Sequence, residues 1–240
     1  MVTDSSARGL AQSTAGFLAA SSLEAFLGAL LVVPVVEIGC ADDAVPLARA
    51  LLDAGLPCAE ITFRTAAAAR AIAAIAAEVP EVRVGAGTVL NVAQAEAALA
   101  AGAGFLVAPG FDSAVVALAL ERGVPIVPGV CTPTEVGLAL AQGLSVVKLF
   151  PAEAAGGVKY LKALAAPFGG VRFVPTGGIS ADNLAAYLAV DQVVACGGSW
   201  MVKKRLIADH NFDAIRMLAT RAREIALAAR PVAGLQGDDA

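Results

Sequence analysis

The feature that most constrains this chain is its rhythm. Short β-branched runs alternate with longer Ala/Leu segments at helical spacing, without a break, from about residue 32 to residue 228. Residues 32–38, 58–63, 83–85, 105–108, 125–127, 146–150, 171–175 and 193–196 read as strands. Residues 44–54, 66–78, 92–100, 113–122, 134–141, 159–165, 181–188 and 212–228 read as helices. An additional helix over 22–30 precedes the first strand, with Ser22 as its N-cap and Leu23, Phe26, Leu27 and Leu30 on one face. Gly55, Gly102, Gly123 and Gly143 stand where helix C-termini need them. Apolar strands separated by amphipathic helices call for a parallel sheet covered by helices. Eight such pairs in succession predict an α/β protein, a closed (β/α)8 TIM barrel with an extra N-terminal helix. An open doubly wound sheet is the alternative, but no dinucleotide fingerprint with its downstream acidic residue is present.

Nothing in the chain suggests a linker between domains. Residues 1–20 are rich in Ser and Ala with few large apolar anchors, and read as a flexible N-terminal extension. Residues 231–240 read as a flexible tail, leaving 21–230 as a single domain. The hydrophobic content of 58% owes much to alanine. The most lipid-like window, 26–38, is interrupted by Pro34 and Glu37 and is too short to span a bilayer, so no membrane association is expected. The N-terminus carries Asp4 and only Arg8 ahead of its apolar stretch, unlike a secretory signal, which points to the cytoplasm. A net charge of −4 with no basic stripe argues against nucleic acid. The four cysteines (Cys40, Cys58, Cys131, Cys196) lack metal-ligand spacing, and read as reduced, buried thiols. The single histidine, His210, excludes a His-based triad or a multi-His metal site by count.

Lys148 is the residue that points to chemistry. Of the five lysines, it alone lies within an apolar strand-like run, Val146-Val147-Lys148-Leu149-Phe150. A buried ammonium is costly, and a lysine that can shed its proton attacks carbonyl carbon to form a Schiff base. In a barrel, the functional face lies at the C-terminal ends of the strands. The second strand brings Glu60 there, followed by Arg64, and strands two and six face each other across an eight-stranded barrel. Side-chain alternation puts Glu60, Thr62 and Arg64 on one face if the strand extends that far. A purely structural Glu60–Lys148–Arg64 ion-pair network is the competing reading. The glycine pairs Gly177-Gly178 and Gly197-Gly198, the latter followed by Ser199, fall after strands seven and eight, where barrels commonly hold phosphate. Arg172 starts its strand at the opposite end and reads as a surface charge; Trp200 and Phe168 read as packing residues.

Six stretches together carry a family resemblance. They are Glu60-Ile61-Thr62-Phe63-Arg64-Thr65, Val84-Gly85-Ala86-Gly87-Thr88-Val89-Leu90-Asn91, Pro109-Gly110, Lys148-Leu149-Phe150-Pro151-Ala152-Glu153, Arg172-Phe173-Val174-Pro175-Thr176-Gly177-Gly178-Ile179 and Gly197-Gly198-Ser199-Trp200. From about Leu23 to Ala229 the chain resembles the class I 2-keto-3-deoxy-6-phosphogluconate (KDPG) aldolases, also called KHG/KDPG aldolases. The resemblance implies a homotrimeric barrel enzyme, an aldehyde-lyase, that cleaves the phosphorylated 2-keto-3-deoxy sugar acid to pyruvate and glyceraldehyde 3-phosphate. It implies no cofactor and no metal, because an imine on Lys148 serves as the electron sink. Glu60 is then the general acid/base. Arg64 and Thr88 hold the pyruvate carboxylate, and Pro109 and Phe150 shape the pocket. Thr176 contacts substrate hydroxyls, and Gly177, Gly178, Gly198 and Ser199 hold the phosphate. Cleavage of 4-hydroxy-2-oxoglutarate to pyruvate and glyoxylate is implied as a second activity, and the galactonate-derived epimer is a further substrate option. A phosphosugar isomerase or epimerase and a non-catalytic phosphate-ligand binder remain alternatives. Two departures stand out: Ala108 where relatives often have Ser, and Gly39-Cys40 where some carry basic residues.

Overall fold

A computed structural model describes residues 22–230. The expected extension 1–20 and tail 231–240 lie outside the described residues. The chain opens with α1 (Leu23–Leu30), which Ser22 caps by accepting from the Ala25 amide at 3.3 Å. Then follow β1 (Val32–Val36), α2 (Ala44–Asp53), β2 (Cys58–Thr62), α3 (Ala68–Glu78), β3 (Arg83–Gly87), α4 (Val92–Ala100), β4 (Leu106–Val107) and α5 (Ser113–Glu121). After these come β5 (Ile126–Val127), β6 (Gly129–Val130), α6 (Pro133–Ala141), β7 (Val146–Leu149), α7 (Gly157–Ala165), β8 (Arg172–Phe173), α8 (Leu184–Leu188), β9 (Cys196–Gly198), α9 (Lys204–Ala208) and α10 (Phe212–Ala229).

The result is an α/β fold built on a curled sheet whose strand pairings are all parallel. Six strands run in the order β5-β4-β3-β2-β1-β9, and three in the order β6-β7-β8. The predicted fifth strand, 125–127, is β5, and an unpredicted strand, β6, follows it: Pro128 divides β5, which pairs with β4, from β6, which pairs with β7. Proline has no amide proton to give a ladder, yet the Pro128 carbonyl still accepts from the Lys148 amide at 2.9 Å. Single bridges, Phe173↔Val193 and Thr176↔Gly197, join the β8 segment to the chain around β9. The β9 ladder therefore starts three residues later than the apolar run 193–196 suggested, because Val193 makes a single bridge and Val194 and Ala195 lie between it and the ladder. The short helix α9, between β9 and α10, falls in a polar stretch that gave no periodic signal.

The apolar core forms two clusters, one around Leu27, Ile61, Ile72 and Phe105 and one around Val147, Leu149, Phe173 and Tyr187. Phe111, Leu144 and Trp200 pack against both. The helix α1 crosses the N-terminal ends of the strands. Arg83, first in β3, stacks over the Phe26 ring at 4.9 Å, and Arg172, first in β8, pairs with Glu24 at 3.6 Å. Arg172 is thus at the end of the sheet away from the strand C-termini, as its position suggested. The cysteines depart from the expectation of burial: Cys58 and Cys196 are buried, Cys131 is half-buried and Cys40 is exposed. Cys40 lies two residues past the first apolar run, in the loop before α2, and is left exposed by the described residues. Among the described residues no helix is long and apolar enough to cross a membrane.

Candidate active site

Two inward-facing strands set the centre of the site. Glu60 lies mid-β2, opposite Val35 on one side and Gly85 on the other. Lys148 lies in β7, opposite Gly129 of β6. Their side chains meet: Lys148 Nζ donates to Glu60 Oε1 at 3.2 Å, and both residues are buried, at 4% and 3% exposure. The ammonium also faces the Phe150 ring, 5.5 Å from its centroid. The pair borders a cavity of about 10 Å³ walled by Leu27, Val33, Phe105, Val107, Val127 and Val174. That volume is about one water molecule's worth.

Backbone without side chains makes room for the carboxylate. A methyl group on Gly87 would stand 2.2 Å from Glu60 Oε1, and one on Gly85 would run into the Phe105 ring at 2.3 Å. The predicted strand 83–85 stops at Gly85, whereas β3 runs on through Gly87; Gly87 leaves a slot for Glu60 and Gly85 one for Phe105. Nothing in the sequence separates that role from a turn, since only the fold brings Gly87 beside residue 60.

One layer above lies a cavity of about 550 Å³ at the strand C-termini, to which Val35, Thr62, Phe150, Thr176, Gly197 and Trp200 contribute. Of the predicted site residues, Arg64, Phe150, Thr176, Gly177, Gly178, Gly198 and Ser199 line it. Gly177 and Gly178 have φ of 96° and 84°, the left-handed region that favours glycine. Gly197 gives Thr176 its place, since a methyl there would meet Thr176 Oγ1 at 2.4 Å. Trp200 both packs and lines the cavity, its ring lying against Gly198, so the reading of it as packing alone was incomplete.

Thr88 and Pro109 line neither cavity. Thr88 directly follows Gly87 and is held at φ 56°, an uncommon conformation for a β-branched residue and of the kind that clusters at functional sites. The Pro109-Gly110 backbone abuts Gly129, the register partner of Lys148, so closely that a methyl on Gly129 would meet it at 2.2 Å. Arg64 differs most from expectation. β2 ends at Thr62, so Arg64 does not continue the Glu60 face in strand register. Its guanidinium, 52% exposed in side chain, pairs instead with Glu37 at 3.7 Å.

Three charged residues of the large cavity escaped the sequence reading. Glu37, just past β1, accepts from Lys204 Nζ at 2.7 Å, and Lys203 lines the same wall. The Lys204 hydrogen bond holds the Glu37 carboxyl below its ordinary value, with the charges of Lys204 and Arg64 adding to the effect and burial opposing it. A Lys-Lys pair in a polar stretch reads as solvated surface, and only the return of the chain after β9 brings it to the mouth.

Fold and site define a class: an α/β scaffold that offers one buried amine and one buried carboxylate beneath a glycine-rimmed cavity at its strand C-termini. The model of the KDPG and KHG aldolase family matches residues 23–218, and the chain belongs to that family. It is 54% identical over 194 residues to the 2-dehydro-3-deoxy-phosphogluconate aldolase of Treponema pallidum, covering 81% of this chain and 92% of that one. It is 46% identical over 204 residues to the KHG/KDPG aldolase of Escherichia coli, covering 85% and 96%. Among solved structures it is similar to the KDPG aldolase of Legionella pneumophila with pyruvate captured as a covalent carbinolamine, with 36% identity and a TM-score of 0.81 over 84% of this chain and 98% of that one.

Proposed function

We propose that this chain is a class I aldolase that cleaves 2-dehydro-3-deoxy-6-phosphogluconate to pyruvate and glyceraldehyde 3-phosphate, with 4-hydroxy-2-oxoglutarate as a second substrate. The observation that carries the reading is the buried Lys148–Glu60 contact at 3.2 Å beneath the large cavity. The capture of pyruvate as a carbinolamine in the Legionella relative supports it.

Transfer of a proton from Lys148 Nζ to Glu60 leaves a neutral amine with a free electron pair. The amine adds to the C2 ketone of the substrate to give a carbinolamine. Glu60 returns the proton to the departing hydroxyl, water leaves, and a protonated imine remains. The Glu60 carboxylate then removes the C4 hydroxyl proton, the C3–C4 bond breaks, and its electrons pass into the imine to form an enamine. Protonation of the enamine carbon by Glu60 and hydrolysis of the imine release pyruvate. No step calls for a metal or cofactor. Arg64 clamps the 2-keto carboxylate, with Thr88 beside it, and Pro109 and Phe150 shape the wall next to the amine. Thr176 contacts substrate hydroxyls, and Gly177, Gly178, Gly198 and Ser199 bind the phosphate with backbone amides and a hydroxyl.

The same reading holds the scaffold to be a closed (β/α)8 barrel. Its support is the set of bridges between the β8 segment and β9, and the small cavity that side chains from β1, β2, β4, β5 and β7 jointly enclose. It also holds 21–230 to be one domain, the active form a homotrimer and the location cytoplasmic. The exposed Leu120, Leu138 and Leu140 offer apolar surface of the kind subunit contacts cover. Treating the protein with pyruvate and borohydride tests the chemistry. A covalent adduct mapped to Lys148 is expected; no adduct, or one on Lys159 or Lys162, overturns the assignment.

A further inference from the structure

The large cavity carries four charged side chains, and their arrangement is uneven. Arg64 and Lys204 approach from different elements, yet both end on the same carboxylate: Glu37 Oε2 meets the guanidinium at 3.7 Å and Oε1 meets the ammonium at 2.7 Å. Lys203 lines the same wall. The loop after β1, Gly39-Cys40, adds no charge of its own. A ligand with two anionic ends would therefore meet cations that already have a counter-anion.

On the proposed aldolase reading, the two ends of the substrate differ in reach. The 2-keto carboxylate goes with the ketone to Lys148. The phosphate on C6 lies two carbons further out than the second carboxylate of 4-hydroxy-2-oxoglutarate, which is borne on C4. Lys204 lines the same cavity as Gly177, Gly178, Gly198 and Ser199, the residues read as the phosphate site, and reaches it on a long, mostly exposed side chain. We propose that Glu37 is a resident counter-anion that the substrate's phosphate displaces from Lys204, and that the Glu37–Lys204 pair sets the preference for phosphorylated over short dicarboxylate substrates. Displacement exchanges one charge-assisted contact for another, so Glu37 lowers the net gain from Lys204 without abolishing it. A phosphate bears more charge than a carboxylate, which is why it competes where a carboxylate would not.

The test is the ratio of kcat/KM for the phosphorylated substrate to kcat/KM for 4-hydroxy-2-oxoglutarate, measured on the full chain at low salt. Lys204→Met should lower this ratio about fivefold and Glu37→Gln should raise it about threefold, shifts typical of partly exposed charge contacts. Both side chains lie at the surface of the mouth, and matching thermal melts of parent and variants establish that the fold is intact. A ratio unmoved by Lys204→Met, or one that stays level or falls with Glu37→Gln, overturns the proposal while leaving the aldolase reading intact. A parent protein that cleaves neither substrate overturns the aldolase reading itself.

Discussion

Gly87→Ala tests whether the seat of Glu60 matters as the structure implies. The added methyl would stand 2.2 Å from Glu60 Oε1, 2.6 Å from Cγ and 2.8 Å from Cδ, where ordinary contact begins at 3.4 Å. The shortfall is about 1 Å. The carboxylate has no solvent to retreat into, because Glu60 is 3% exposed, so it must swing away from the methyl or push β2 from β3. Either way its 3.2 Å contact with Lys148 changes. A catalytic group misplaced by about 1 Å costs on the order of 100-fold in rate, and overpacking a tight site costs about 1–3 kcal/mol of stability. Steady-state turnover of the phosphorylated substrate should fall by about two orders of magnitude. Borohydride trapping with pyruvate should still reach Lys148 on long incubation, which separates a misplaced acid/base from an unfolded protein. Gly169→Ala is the control, since a methyl there meets nothing within 4 Å. If Gly87→Ala turns over within about twofold of the parent, the argument that β3 positions Glu60 is wrong.

Thiol labelling with a maleimide should modify Cys40 first and Cys131 more slowly. Cys58 and Cys196 should react only after denaturation, because burial raises both thiols far above their ordinary value; native-state labelling of Cys58 would contradict the packing of β2. Glu135 should make part of the stability acid-sensitive. Burial alone would raise its carboxyl, yet donors from Cys131 and Thr132 at 2.7–2.9 Å hold it below the ordinary value. A depressed folded-state value means its contribution is complete above about pH 4.3, the unfolded value, and is lost as pH falls through the folded one. Denaturant melts at pH 6 and pH 3.5 should therefore show the parent losing more stability than Glu135→Gln; equal losses would refute the assignment.

The architecture was largely legible because its signal is periodic. The longer helices show their buried stripe in sequence, as α2 does with Leu47, Ala48 and Leu51, and Gly55, Gly102, Gly123 and Gly143 all adopt the positive φ expected past a helix end. Strand edges were less legible, since burial depends on neighbours: the apolar run at 193–196 looks like a strand, yet the ladder takes Cys196, Gly197 and Gly198. Lys148 was legible because charge inside an apolar run has few explanations. Glu37, Lys203 and Lys204 were not, because a charge at the edge of a run or in a polar stretch looks the same whether it faces bulk water or a cavity. Arg64 was half legible: its residue type and motif put it at the mouth, but the end of β2 at Thr62 turns it toward Glu37 rather than along the Glu60 face.

The helix α1 lies across the N-terminal strand ends, pinned by Phe26 under Arg83 and Glu24 beside Arg172, and its Leu27 lines the small cavity that Glu60 and Lys148 border. Among the described residues, the large cavity opens at the opposite end, where the strands finish, and on the proposed reading substrate enters and products leave there. A linker or solid support attached through the outer face of α1 would sit on the blind side of the molecule, so immobilised protein should keep its entrance unobstructed.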